Sequence, residues 1–167
     1  LYKISGSGNE LYFLVKSEEV TIIGENSSLI IDEIKMRSNN EIMVNNLTGS
    51  FSLFGKNSNL TTNLNDIRGE KIIGKFSTSE LIKEILFIEV EDKDGAYIKS
   101  GDTEMYAQKS NYSKENSQIE MNDDVIIIRG GEKITGDYGI FDTKNKSYKI
   151  KSKNKNKVKV TITNSNE

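Results

Sequence analysis

Carboxylates are the side chains in this sequence with the means to do acid–base or metal chemistry, and three pairs stand at suggestive spacings: Glu89 with Glu91, Asp92 with Asp94, and Asp123 with Asp124. Two carboxyls flanking a glycosidic bond can share the acid and base roles of hydrolysis, and clustered carboxylates can ligate calcium. Asp92-Lys93-Asp94-Gly95 has the opening of a calcium loop, but the remaining oxygen ligands do not follow, and a solvated turn accounts for the four residues. Arg129-Gly130-Gly131-Glu132 has the outline of a phosphate-cradling glycine loop. No Walker or Gly-x-Gly-x-x-Gly pattern surrounds it and no helix pattern follows. It therefore reads as a hairpin turn in which the two glycines supply positive φ.

What is missing narrows the chemistry further. The chain has no His, no Cys and no Trp. Serine triads, thiolate nucleophiles, disulfides and His- or Cys-ligated metal sites are thereby excluded. We assign no catalytic residue, no metal ligand and no cofactor, and expect a protein that is not an enzyme; a glycosidase using one carboxylate pair stands as a remote alternative. Lys and Arg number 23 against 25 Asp and Glu, a net charge of −2, so no global field draws nucleic acid, which is not expected as a partner. The lysine-rich run from Lys144 to Lys159 is either a solvated face or an anion-facing patch. No apolar run approaches the ~20 residues that cross a bilayer. The first residue is Leu1, not Met, and a segment removed from upstream is expected, of which a signal sequence or membrane anchor could be part.

The elements that would position these groups are strands. At 167 residues the chain is of single-domain size, and its 35% hydrophobic residues are dominated by branched and aromatic types that suit a pleated surface. There is no Pro, and Gly is scattered over turns, so no linker divides the chain. An internal repeat is visible. Met105 aligns with Ile134, Ala107 with Gly136, Tyr112 with Phe141, Ile119 with Tyr148 and Met121 with Ile150, all 29 positions apart. After an insertion Val125 and Ile127 fall on Val158 and Val160, and an earlier copy aligns Gly74, Phe76, Leu86 and Ile88 with Gly136, Tyr138, Tyr148 and Ile150. Each unit reads as strand, polar turn and alternating strand, with one face covered and one wet. Ser77-Thr78-Ser79-Glu80, with Leu81, Ile82, Ile85 and Leu86, has a capping-box opening, so a short helix over Ser79 to Leu86 competes with the strand that the repeat predicts there. Stacked units bring Leu86, Ile88, Met105, Ile119, Met121, Ile127, Ile134, Tyr148 and Ile150 to a common interior, subject to a bulge at Gly136-Asp137 that would switch parity. The recurring aromatic residues, Tyr106, Tyr112, Tyr138, Phe141 and Tyr148, serve a core or a ligand platform. That interior is either a filled core or, if the faces splay, a groove that accepts lipid acyl chains. The last strand, Val158-Lys159-Val160-Thr161-Ile162-Thr163, has no later unit to pair with. Its outer edge is open to a partner, or its lysines protect it from one.

The stretch from Asp124 to Asp142, with Val125, Gly130, Ile134, Gly136-Asp137 and Phe141-Asp142 in sequence, resembles the OstA/LptA/LptC family of periplasmic lipopolysaccharide-transport proteins. Asp94-Gly95-Ala96-Tyr97-Ile98 through Tyr106, and the N-terminal stretch from Gly8 through Val15 to Glu33, are similar to the LptC branch. Gly136 stands where the family more often has Ala, and the segment from Lys151 to Asn156 is a basic insertion. The resemblance implies an all-β fold: an open, twisted β-jellyroll, a two-sheet V-shaped roll of repeated antiparallel strands over residues 1–167, with units at about 74–104, 105–133 and 134–163. It implies a non-enzymatic periplasmic component of outer-membrane biogenesis in a Gram-negative cell. In that role the interior residues hold the lipid A acyl chains of lipopolysaccharide, and an N-terminal anchor can tether the protein to the inner membrane. The edge at Val158, Val160 and Ile162 would receive the next bridge protein. The edge at Leu11 and Phe13 would face the inner-membrane transporter, and an edge-to-edge homo-oligomer is a further form. A structural or adhesive surface β protein with a filled core and no lipid is the alternative from a different class.

Overall fold

A computed structural model describes residues 4–78, 83–153 and 157–162. Every regular element within them is a β-strand: β1 (Ile4–Ser7), β2 (Glu10–Leu14), β3 (Glu19–Ile23), β4 (Ser27–Ile31), β5 (Ile34–Ser38), β6 (Glu41–Asn45), β7 (Ser50–Thr61), β8 (Asn65–Phe76), β9 (Ile85–Ser100), β10 (Thr103–Ser113), β11 (Gln118–Arg129), β12 (Glu132–Asp142), β13 (Ser147–Lys151) and β14 (Lys159–Ile162). Alternation drives them: in β5, Ile34, Met36 and Ser38 are buried while Lys35 and Arg37 are exposed. Of the segment expected as either helix or strand, residues 79–82 lie outside the described residues; from Ile85 onward it is strand.

All pairings are antiparallel. From β7 to β13 each strand pairs with the next in sequence. The β11–β12 connection is the expected hairpin, with Gly130 at φ 53° and Gly131 at φ 82°, the positive values that a two-residue turn of primed type requires. The six long strands each serve two layers. β5 pairs with residues 59–61 of β7, whereas β6 pairs with residues 50–54 of the same strand. At the other end, residues 132–135 of β12 pair with β14 and residues 138–142 with β13. A front layer therefore runs β1-β4-β5-β7-β8-β9-β10-β11-β12-β14, and a back layer runs β2-β3-β6-β7-β8-β9-β10-β11-β12-β13.

The layers meet along a seam where the long strands lose register: after Phe54 in β7, after Arg68 in β8, between Glu91 and Ala96 in β9, after Ala107 in β10, after Asn122 in β11 and around Asp137 in β12. Left-handed backbone collects there, at Gly55, Asn57, Gly95, Asp123 and Asp124. Bulges bend strands and sharpen their twist, which is how one sheet folds over into two. They also reset the facing of side chains. Plain alternation from Ile134 would bury Tyr138 and Ile140; the irregularity at Asp137 instead buries Gly139 and Phe141.

Between the layers lies one apolar cluster with contributions from both, in which Ile22, Ile42, Leu53, Leu60, Ile72, Phe76, Val90, Met121 and Phe141 have no exposed surface. Each such side chain contributes about 1.5–3 kcal/mol of burial. Among the described residues the strands at both ends are uncovered on their outer edges: β1 and β2 at one end, β13 and β14 at the other.

Candidate functional site

Cross-strand pairing lines the interior with continuous apolar rows. In the front layer, Leu29, Met36, Leu60, Ile67, Ile98, Met105, Ile127, Ile134 and Val160 stand side by side across nine strands. In the back layer one row runs Leu11, Ile22, Ile42, Leu53, Ile72, Val90, Ser110, Met121, Gly139 and Ile150. A second runs Phe13, Val20, Val44, Phe51, Gly74, Ile88, Tyr112, Ile119, Phe141 and Tyr148. Gly74 is glycine because a Cβ there would come within 2.5 Å of Phe51 Cζ and of the Phe87 carbonyl oxygen. Phe51 meanwhile stacks on Phe76 at 5.9 Å between ring centres.

Eight of the nine interior positions singled out from the sequence lie on these rows. Ile88, Met105, Ile119, Met121, Ile127 and Ile134 are buried; Tyr148 and Ile150, at the C-terminal end, are half-buried against the cluster. Leu86 does not join them: Phe76 pairs with Ile85 and Lys75 with Phe87, which leaves Leu86 as the extra residue of a bulge, 37% exposed, with Ile85 packed on the core in its stead. Positions 29 apart share a row, whereas the earlier copy sits two residues out of that alignment, since Ile88 stands in the row of Tyr148 and not of Ile150. The N-terminal half of the rows went unrecognised because those strands carry no copy of the repeat. The alternation of Ile34, Met36 and Ser38 was the signal that could have found them.

At the two ends the rows run past their cover. Leu11 and Phe13 on β2 are 56% and 53% exposed, and Val160 and Ile162 on β14 are 57% and 63% exposed; Val158 precedes β14 and is exposed as well. The side chains between the ends pack against each other, and of the two clefts of note one is polar and the other, with Val125 and Ile126 in its lining, is mixed. One, of about 410 Å³, is lined by Arg37, Asn57, Asn59, Arg68, Gly69, Asp92 and Gly95. The other, of about 330 Å³, lies by Asp124, Gly136, Asp137, Ser152 and Lys159.

The chemistry-bearing groups are spent on structure. Glu89 and Glu91 face Lys71 and Lys109 from the neighbouring strands, with Lys109 Nζ 3.0 and 2.7 Å from the two carboxylates and Lys71 Nζ 3.6 and 3.2 Å away. Hydrogen bonds from Lys109 and Lys71 hold the Glu91 carboxyl below the usual carboxylate range. Asp92 Oδ1 accepts the Asp94 backbone N–H at 2.9 Å, and in place of the expected connecting turn these residues form the irregularity within β9 between Glu91 and Ala96. Asp124 accepts from Gln108 and Asp123 pairs with Lys153, so the adjacent carboxylates are drawn to different partners. Among the described residues no three carboxylates converge on a metal-binding cluster. One group that sequence pattern gave no sign of is Lys83, 9% exposed, which donates to Asn46 Oδ1 at 2.8 Å and stands 4.6 Å from the centre of the Phe76 ring. Burial lowers the pKa of its ammonium.

No family model and no curated protein matches the chain. Among solved structures it is similar to LptH, the LptA homologous periplasmic component of the conserved lipopolysaccharide transport device from Pseudomonas aeruginosa. The two superpose with a TM-score of 0.58 over 97% of this chain and 96% of that one, at 10% identity. The likeness bears on the fold, which is the open β-jellyroll that the sequence resemblance implied.

Proposed function

We propose that this chain is a non-enzymatic, periplasmic lipopolysaccharide-binding component of a transport bridge, residues 1–167 acting as one β-jellyroll domain that passes acyl chains along its interior. The observation that carries the reading is the pair of apolar layers whose rows extend through β2 at one end and β14 at the other, exposed at both among the described residues. An interior meant only to be a core would close over its last strands. One built to continue into a neighbour leaves them open, with main-chain donors and acceptors free for strand addition. The likeness to LptH supports the same reading, and the sequence of residues 94–106 favours the LptC-like branch, with the N-terminal edge toward an inner-membrane transporter and an anchor preceding it. The lining proposed for lipid is Ile88, Met105, Ile119, Met121, Ile127, Ile134, Tyr148 and Ile150; Leu86 is left out because it lies on the bulge.

The closely packed interior favours a second reading, a structural or adhesive β protein with no lipid. A photo-crosslinking residue at Ile150, compared with one at Lys149 or Lys151 on the opposite face of β13, separates the two. In a lipopolysaccharide-producing host, capture of lipopolysaccharide at position 150 and not at its neighbours is the expected result. Capture at none of the three, together with lipid-free protein in native mass spectrometry, would leave the structural reading standing.

A further inference from the structure

Opposite the seam, the front and back layers end in rows of turns that form the two lips of the roll. Near the C-terminal end these lips are tied together. Arg129, closing β11, and Glu132, opening β12, are cross-strand partners in the front layer, on the same inward parity as Ile127 and Ile134. Where the apolar row would have continued, the chain puts a cation and an anion. Both reach the back layer: Arg129 Nη1 donates to the Lys146 carbonyl at 2.6 Å, and Glu132 Oε2 accepts the Tyr148 hydroxyl at 2.9 Å. Asp102, on the next turn of the front lip, holds the Arg129 guanidinium from the other side at 3.2 Å. The Arg129 contact pulls the Asp102 carboxyl below its usual range, and the bond to Glu132 raises the Tyr148 hydroxyl above its own.

We propose that the Arg129–Glu132 hairpin is a clasp that shuts the side of the roll at its C-terminal end, and that its release lets the lips part so that the interior opens laterally as well as at its end. Three observations converge on this. The two links between the lips are partly exposed polar contacts, which are weak and exchange with water, while what lies directly beneath is the apolar surface of Ile134, Phe141 and Tyr148. The back-layer partner β13 is an edge strand five residues long, held, among the described residues, on one side only. And β12, which spans both layers, bends at Asp137, where the ladder is interrupted, so the two lips have a hinge behind them. That the opened side admits acyl chains rests on the transport reading above; that it opens does not.

The absence of Cys makes the test direct. A single reporter thiol is placed at Ile134→Cys under the clasp, or at Leu53→Cys, fully buried in the back layer far from it. Alkylation by iodoacetamide is followed in the full chain with and without the pair Arg129→Met and Tyr148→Phe, which removes both links and keeps the ring. The expected result is a rise of about tenfold or more in the rate at position 134 with position 53 changed by less than about twofold. An equal rise at both sites would mean global loosening, and no rise at position 134 would mean the links close nothing; either overturns the clasp. A second arm joins Arg129→Cys to Lys146→Cys with a reducible bifunctional thiol reagent and measures uptake of purified lipopolysaccharide. Loss of uptake on cross-linking and recovery on reduction are expected. Undiminished uptake by the locked protein overturns lateral entry, whereas no uptake by the unmodified protein counts against the transport reading and leaves the thiol arm to decide the clasp.

Discussion

Glu89 and Glu91 show how differently a residue pair reads before and after its strand has neighbours. Their spacing in sequence puts them on one face of a strand, which suits a shared acid–base role as well as it suits an ion-pair network. What decides is Lys71 on β8 and Lys109 on β10, brought alongside by register that neither lysine's own sequence context reveals. The network has a pH signature. The Glu91 carboxyl is held low by Lys109 and Lys71, so its contribution is complete above the ordinary carboxylate titration and is lost as pH falls through its lowered folded value. The Lys109 ammonium is raised by Glu91 and then Glu89, so its contribution is complete below the ordinary ammonium titration and is lost as pH rises through the raised folded value. A double-mutant cycle of Glu91→Gln with Lys109→Met, read by thermal melting, should give a coupling of about 0.2–1 kcal/mol near neutral pH, since both groups are more than a third exposed. It should vanish in acid and shrink in high salt; a coupling that persists in acid would mean that the pair acts through packing and not charge.

At the scale of elements, the strands themselves were legible and their facing only in part. Alternation and the repeat located β10 to β14, and glycines at positive φ marked the turn before β12. Parity held across the seam in β11, where Met121 and Ile127 both face inward, and failed in β12 at Tyr138, assigned to a core or a ligand platform, which the irregularity at Asp137, the bulge position named from the sequence, turns out. Leu86 failed for the same reason at the start of β9, where a bulge is invisible to a count of spacings. The edge strand β14 is the element on which partner binding can be tested. Along an edge, alternate N–H groups point toward the sheet and away from it, so of Val160→Pro and Thr161→Pro one removes a ladder donor facing β12 and the other removes an outward donor. If the edge receives a partner strand, one of the two variants should keep its melting temperature yet lose partner binding in a pull-down, while the other should loosen β14. Two variants that both fold and both bind with unchanged affinity would rule out docking at this edge.

For the whole molecule, composition and alternation were enough for an all-β chain of strands with one covered face, the open roll followed from the family resemblance, and the branching of the sheet was accessible from neither. β1 pairs with β4, β3 with β6 and β5 with β7, so the N-terminal strands interleave between layers in an order that no local pattern encodes. That interleaving has a consequence for how the chain acquires its structure. From β7 to β13 each pairing joins sequence neighbours, at little entropic cost, whereas three of the N-terminal pairings, β1–β4, β3–β6 and β5–β7, must bridge intervening strands that are themselves committed to the other layer. The C-terminal meander should therefore assemble first and serve as the template on which the N-terminal strands dock late. Stopped-flow refolding of Ile127→Val in the meander and Ile22→Val in β3, each a loss of about 0.5–1.5 kcal/mol, should give a φ-value clearly higher for Ile127 than for Ile22. The reverse order would mean that the nucleus forms at the crossing strands and the meander grows outward from them.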